Sequence, residues 1–271
     1  MREFLPALLE YDFLQQAMLA CVLASIGCGI TGAYVVVKRI GFLSGGIAHT
    51  VLAGMGIAYF TGTDPMIGAL LSALVAAVLI GLIKLRWQQD EEILIAAFWS
   101  VGMAIGVIFV SMSPGYNVDL MAYLFGNILL VSKQNLVQML LLDCVLVAIV
   151  YVFYRQFLIM AFDEEFARIR GVRVELVYIL MLCLIALSIV LMIQMVGLIL
   201  VMALLMLPAA SASRFTRSFP GMIIMAILFS MLATTSGLAL SYGPDLPSGA
   251  TMVLMAGLIY VVSIWLKRKR T

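Results

Sequence analysis

Nine apolar stretches, each about 17 to 25 residues long, follow one another along this chain with only short polar breaks between them. That is the length a helix needs to cross roughly 30 Å of hydrocarbon. We place them at about 13–37, 43–60, 65–85, 91–112, 136–154, 176–194, 197–213, 219–241 and 248–266. With 65% hydrophobic and 11% charged residues, too little polar surface exists to cover a water-soluble globule. The expected fold is therefore all-α, a polytopic integral membrane bundle of eight or nine transmembrane helices with 1–271 as a single domain. The 22 glycines and 19 methionines fit, since small residues let spanning helices approach closely and thioethers fill irregular gaps.

Basic residues orient the bundle. They gather at Lys38-Arg39, Lys84 to Arg86, Arg155 to Arg173, Arg214 to Arg217 and Lys267 to Arg270, each just beyond an apolar run, and read as cytoplasmic. Nine crossings with a cytoplasmic basic tail put the N-terminus outside, provided that 120–132 does not cross. That stretch is only about 13 residues long and holds Gly126-Asn127, so it reads as a half-helix or re-entrant piece shielded by protein. Met1 to Asp12 is too acidic for the basic head of a cleavable signal, so the first apolar run is expected to stay as a span. No glycine-rich loop ending in Gly-Lys-Ser/Thr occurs, and the chain is not expected to hydrolyse ATP.

Where polar residues interrupt this pattern, function is to be sought. Asp163 to Glu175 holds seven of the chain's 30 Asp, Glu, Lys and Arg residues. A helical reading of it sets Phe166, Ile169 and Arg170 on one side, as a docking surface would, although a solvated turn between spans would look similar. The single histidine, His49, lies inside a span with Ser44 and Thr50 among Gly45, Gly46, Gly54 and Gly56. An intramembrane histidine is costly and is either functional or tightly partnered. Each glycine weakens a helix by about 1 kcal/mol relative to alanine, so the glycines imply close packing or a break at Gly45-Gly46 whose free carbonyls face a cation. Asp245 stands between Pro244 and Pro247 before the last span, either facing a pore or capping the final helix. Asp64 and Asp119 read as helix starts, and Asp143 is an acid well inside a span, with no partner assigned. Cys21, Cys28, Cys144 and Cys183 form no Cys-x-x-Cys pair and read as small hydrophobes.

Taken together, these segments resemble a known family. The run Val196-Gly197-Leu198-Ile199-Leu200 through Leu207-Pro208-Ala209-Ala210 is similar to the hallmark segment of the membrane permeases of zinc, manganese and iron ABC importers, the ZnuB-like group. Gly45 to Gly56 with its Ala-His pair, Gly126-Asn127, the Asp163-to-Gly171 island and Asp245-Leu246-Pro247 occur in the order that family shows. The resemblance implies a non-catalytic permease of the bacterial inner membrane, with its C-terminus cytoplasmic. It implies a homodimer embedded in lipid, in which each copy docks a cytoplasmic ABC ATPase subunit and an extracytoplasmic metal-binding protein delivers the ion. No nucleic acid is among the expected partners. By the same carry-over, about 163–173 is the coupling helix, with Asp163, Glu164, Glu165, Ala167 and Gly171 as its coupling residues. His49 and Asp245 become candidates for the translocation path or its outer gate. No cofactor is expected to stay bound, and the transported divalent ion leans to Zn²⁺ on imidazole chemistry. The rival expectation is a gradient-driven secondary transporter of a cation or small solute, weakened by the scarcity of intramembrane carboxylates.

Overall fold

The computed structural model describes residues 4–87, 91–113, 126, 128–244 and 246–268. Among them the secondary structure is helical: α1 (Phe4–Glu10), α2 (Asp12–Lys38), α3 (Gly41–Phe60), α4 (Pro65–Trp87), α5 (Glu91–Met112), a 3₁₀ turn (Ile128–Leu130), α6 (Lys133–Val152), α7 (Tyr154–Phe162), α8 (Glu164–Ile169), α9 (Val174–Ala212), α10 (Phe219–Tyr242) and α11 (Ser248–Arg268). Among the described residues, eight helices are long and apolar enough to cross a membrane, by length and composition. All but one of the expected spans coincide with these eight to within a few residues.

The exception is 197–213. It does not stand as a separate span but continues α9, an element of 39 residues whose backbone leaves helical geometry at Gly197 (φ 76°, ψ 169°). Before the break, Val174–Ile193 is of full length; after it, Leu200–Ala212 extends only about 20 Å, too short to cross alone. Leu200–Ala212 is thus a half-length helix where the sequence predicts a full span. The 120–132 segment lies mostly outside the described residues, and its described part is Gly126, the 3₁₀ turn and the two non-helical residues that precede α6.

Two short helices add to the expected set. In α1 the ring of Phe4 packs edge-on against Tyr242 at 5.9 Å. In α7 Phe157, Met160 and Ala161 are buried on one face. The start of α4 is capped as anticipated, Met66 N–H donating to Asp64 Oδ1 at 2.8 Å.

By internal contacts the chain divides into two compact units, each assembled from separate stretches: 1–36, 120–148 and 191–271 form one, 37–119 and 149–190 the other. Glycine sets the helix spacing within each. In the first, Gly29 lies against Ile227, Gly32 against Leu205 and Ala209, and a Cβ on Gly237 would come within 2.5 Å of Met252 Cα. Ser25 Oγ and Thr234 Oγ1 share a hydrogen bond of 3.2 Å across that packing. In the second, Gly54 meets Gly68 and Ser72, while Gly81 meets Ile179 and Leu182. At the same end of α4 the Lys84 ammonium stands over the Tyr178 ring, 4.9 Å from its centroid.

Candidate functional site

Helix α3 runs unbroken from Gly41 to Phe60, so no helix end points at a cation from Gly45-Gly46. Its glycines serve the other purpose foreseen for them. A Cβ on Gly46 would press on Ile95 at 3.2 Å, and one on Gly56 would come within 2.5 Å of the Gly106 carbonyl oxygen. From the opposite side, a Cβ on Gly102 would lie 2.7 Å from Thr50 Cα, and one on Gly106 would lie 2.5 Å from the Leu52 carbonyl oxygen. Packing this close brings backbone against backbone, and helices α3 and α5 meet along most of their length.

That approach determines what surrounds His49. The imidazole stacks on the Trp99 indole of α5, with centroids 3.8 Å apart and planes inclined by 15°. His49 is 8% exposed, and its Nδ1 is buried without a hydrogen-bond partner among the described residues. Among the described residues no backbone carbonyl accepts a hydrogen bond from Nδ1. A ring nitrogen without a partner, about two turns into a membrane-spanning helix, is a donor atom with unused capacity. Next to it, Thr50 Oγ1 lies 2.7 Å from the Gly46 carbonyl oxygen and 3.2 Å from that of Phe98, so its single proton is shared between the two helices. An apolar groove of about 270 Å³ opens beside Thr50, walled by Ala53, Ala97, Phe98, Val101 and Gly102.

His49 belongs to no three-ligand cluster: among the described residues no group of three or more His, Cys, Asp and Glu side chains converges where a metal ion could be held. Asp245, its expected companion, and Asp119 lie outside the described residues, as does Asn127. Asp143 sits midway along α6, 3% exposed, in a buried stripe with Met139, Leu146 and Val150. Its two carboxylate oxygens find no hydrogen-bond partner among the described residues. The span is not shifted to bring it to the membrane surface.

The charged island forms a compact element. Helix α8 has 6 residues, shorter than the expected 163–173. Asp163 caps it, Oδ1 accepting the Phe166 N–H at 2.9 Å. Gly171 ends it in the left-handed region at φ 76°, a turn that favours glycine. Ala167 is wholly buried and seats the helix. Glu164 forms an ion pair with Lys38 at the end of α2. Of the five coupling candidates, then, four shape and anchor the element. Glu165 has no such role and is exposed, as are Phe166 and Ile169, at 43% and 82%. The Arg170 guanidinium folds back over the Phe166 ring at 5.1 Å, as the four-residue spacing anticipates. Two apolar side chains exposed on so short a helix form a surface suited to a partner, and their spacing was visible in the sequence. The roles of Lys38 and Trp99 were not, because each depends on a contact between segments distant in the chain.

The ABC 3 transport family matches residues 10–267. A probable metal transport system membrane protein of Chlamydia pneumoniae is 38% identical over 93% of this chain and 88% of its own length. The manganese transport system membrane protein MntC of Halalkalibacterium halodurans is 32% identical over 98% of this chain and 91% of its own. Among solved structures, PsaBC from Streptococcus pneumoniae in complex with Fab superposes with a TM-score of 0.88 at 30% identity, covering 97% of this chain and 94% of that one.

Proposed function

Because the chain belongs to the ABC 3 transport family, whose members are multi-pass membrane permeases, we propose that it is the conduit of an ATP-driven importer of divalent transition-metal ions. In this reading 1–271 works as one permease domain in the bacterial inner membrane. Two copies enclose a shared pathway, a separate ATPase docks on α8, and an extracytoplasmic metal-binding protein supplies the ion. The basic ends at Lys38, Lys84 and Arg86, with the C-terminal Lys267 and Arg268, then lie on the cytoplasmic side.

The observation that carries the reading is His49 Nδ1, buried in a spanning helix and unpartnered among the described residues. One imidazole from each of two copies, joined by Asp245 from each, would give up to four ligands, enough to pass an ion on. Few ligands also suit release, with affinity left to the delivery protein. As to cargo, imidazole leans to zinc, whereas carboxylate suits manganese, the metal in the name of the Halalkalibacterium relative. We place manganese first and zinc second.

In vesicles holding the permease with its ATPase subunit, His49→Ala should reduce ATP-dependent uptake of Mn²⁺ and Zn²⁺ to background while ATPase association is retained. Wild-type uptake by that variant would overturn the role of His49. Uphill transport by the permease alone, with no ATPase present, would overturn the proposed function.

A further inference from the structure

Resting on the reading of α8 as the docking element for the motor, we propose that the Lys38–Glu164 ion pair is a coupling strut that carries the motor's stroke to the His49 helix. On this account Glu164 is a positioning residue that acts through Lys38, not a contact for the ATPase.

Glu164 spans 126 residues of sequence to reach Lys38 Nζ, whose side chain is only 12% exposed. A lysine head covered to that degree needs an anion beside it, and Glu164, with a side chain 42% exposed, supplies one at the inward edge of α8. Lys38 is the last residue of α2, and only Arg39 and Ile40 separate it from the first residue of α3. That connection has a defined shape. Arg39 is the non-glycine residue with positive φ (57°) among those described, and Ile40 is buried at 4% exposure. Ser44 N–H donates to the Ile40 carbonyl at 3.1 Å, and Ser44 Oγ donates to the Gly41 carbonyl at 2.6 Å. The start of α3 is thereby held to the turn, and His49 follows roughly 12 Å further along the same helix. Residues 37–119 and 149–190 form one compact unit, so α8, Lys38, the turn, α3 and the Trp99 stack all belong to it. A push on the exposed Phe166–Ile169 face meets, on the inward edge of the same short helix, a charged link to the segment that begins the His49 helix.

The test uses the complex of permease and ATPase subunit in vesicles, with Lys38→Glu, Glu164→Lys and the two together. Each single change should lower metal moved per ATP about tenfold, with ATPase-subunit affinity within about twofold of wild type, as expected of a partly exposed pair. The exchanged pair should restore the ratio to within about threefold of wild type. Glu164→Gln, which keeps shape and removes charge, should show the single-change loss with an unaltered unfolding midpoint. Loss of ATPase affinity in Glu164→Lys but not in Lys38→Glu would overturn the proposal by making Glu164 a docking contact. An exchanged pair no better than either single change would overturn it too, as would a lowered midpoint in every variant. A wild-type complex that binds the ATPase and hydrolyses ATP but moves no metal would instead refute the function proposed above; the strut would then be judged by whether the exchange restores ATP turnover.

Discussion

Replacing Gly106 by alanine should destabilise this protein, and the same replacement at Gly257 should stabilise it. Both positions lie inside helices, α5 and α11, so alanine gains the same helix preference at each, about 0.5–1 kcal/mol. What the new Cβ meets differs. At Gly257 nothing lies within 4 Å, and the preference is expressed in full. At Gly106 the Cβ would lie 2.5 Å from the Leu52 carbonyl oxygen and 2.7 Å from its carbon, both backbone atoms that no rotamer change can withdraw. Ordinary contact requires α3 and α5 to separate by about 1 Å, and a gap of that size forfeits a quarter to a half of each contact's attraction along the seam. Overpacking costs about 1–3 kcal/mol, and against backbone the upper half of that range applies. After the helix preference is subtracted, Gly106→Ala should lose about 1–2.5 kcal/mol, or about 2–10 °C in unfolding midpoint for a chain of this size. Gly257→Ala should gain about 1–4 °C. Thermal unfolding of the detergent-solubilised protein, followed by tryptophan fluorescence, measures both. Shifts of the same sign would refute the claim that backbone contact, and not helix preference, governs the α3–α5 seam.

Two further outcomes follow from other elements. Ile169→Asp changes a side chain that is 82% exposed, so stability should stay within about 0.5 kcal/mol while affinity for the ATPase subunit falls about 10- to 100-fold; an unchanged affinity in a binding titration would remove α8 as the docking face. Gly197→Ala places a side chain where φ is 76° and ψ 169°, a region nearly confined to glycine, and should cost about 1–3 kcal/mol, lowering the unfolding midpoint. A midpoint at or above that of wild type would show that the break in α9 does not require glycine.

Features that depend on length and local composition were legible in the sequence. Apolar runs of membrane-crossing length gave α2 to α6, the first part of α9, and α10 and α11, because in hydrocarbon the backbone must satisfy itself as helix. The same rule misread 197–213, since apolarity is continuous through Gly197 and only the dihedral angles reveal where a full-length helix ends and a half-length one begins. Helix α1 was missed because seven residues containing Pro6 carry little signal, and α7 because its buried face of Phe157, Met160 and Ala161 merges with the end of the preceding apolar run. At α8 the charge density marked the place but not the roles. Acids that read as a surface proved to be a cap in Asp163 and an internal partner in Glu164, which a pairing across 126 residues keeps out of view of any local pattern. Likewise, the glycines of α3 announced close packing, whereas the identity of the neighbouring helix, and hence Trp99 over His49, came only from the fold.

The unit built from 1–36, 120–148 and 191–271 has a consequence for how the chain is made. Ser25 must wait for Thr234, 209 residues later, and at roughly 5–20 residues per second a ribosome needs about 10–40 s to supply it. During that interval α2 resides in the bilayer with its glycine face bare, guarded by lipid and by whichever helices have already entered. Assembly of this half of the molecule is thus deferred until α10 has been made, and a product truncated before α10 would leave α2 permanently widowed.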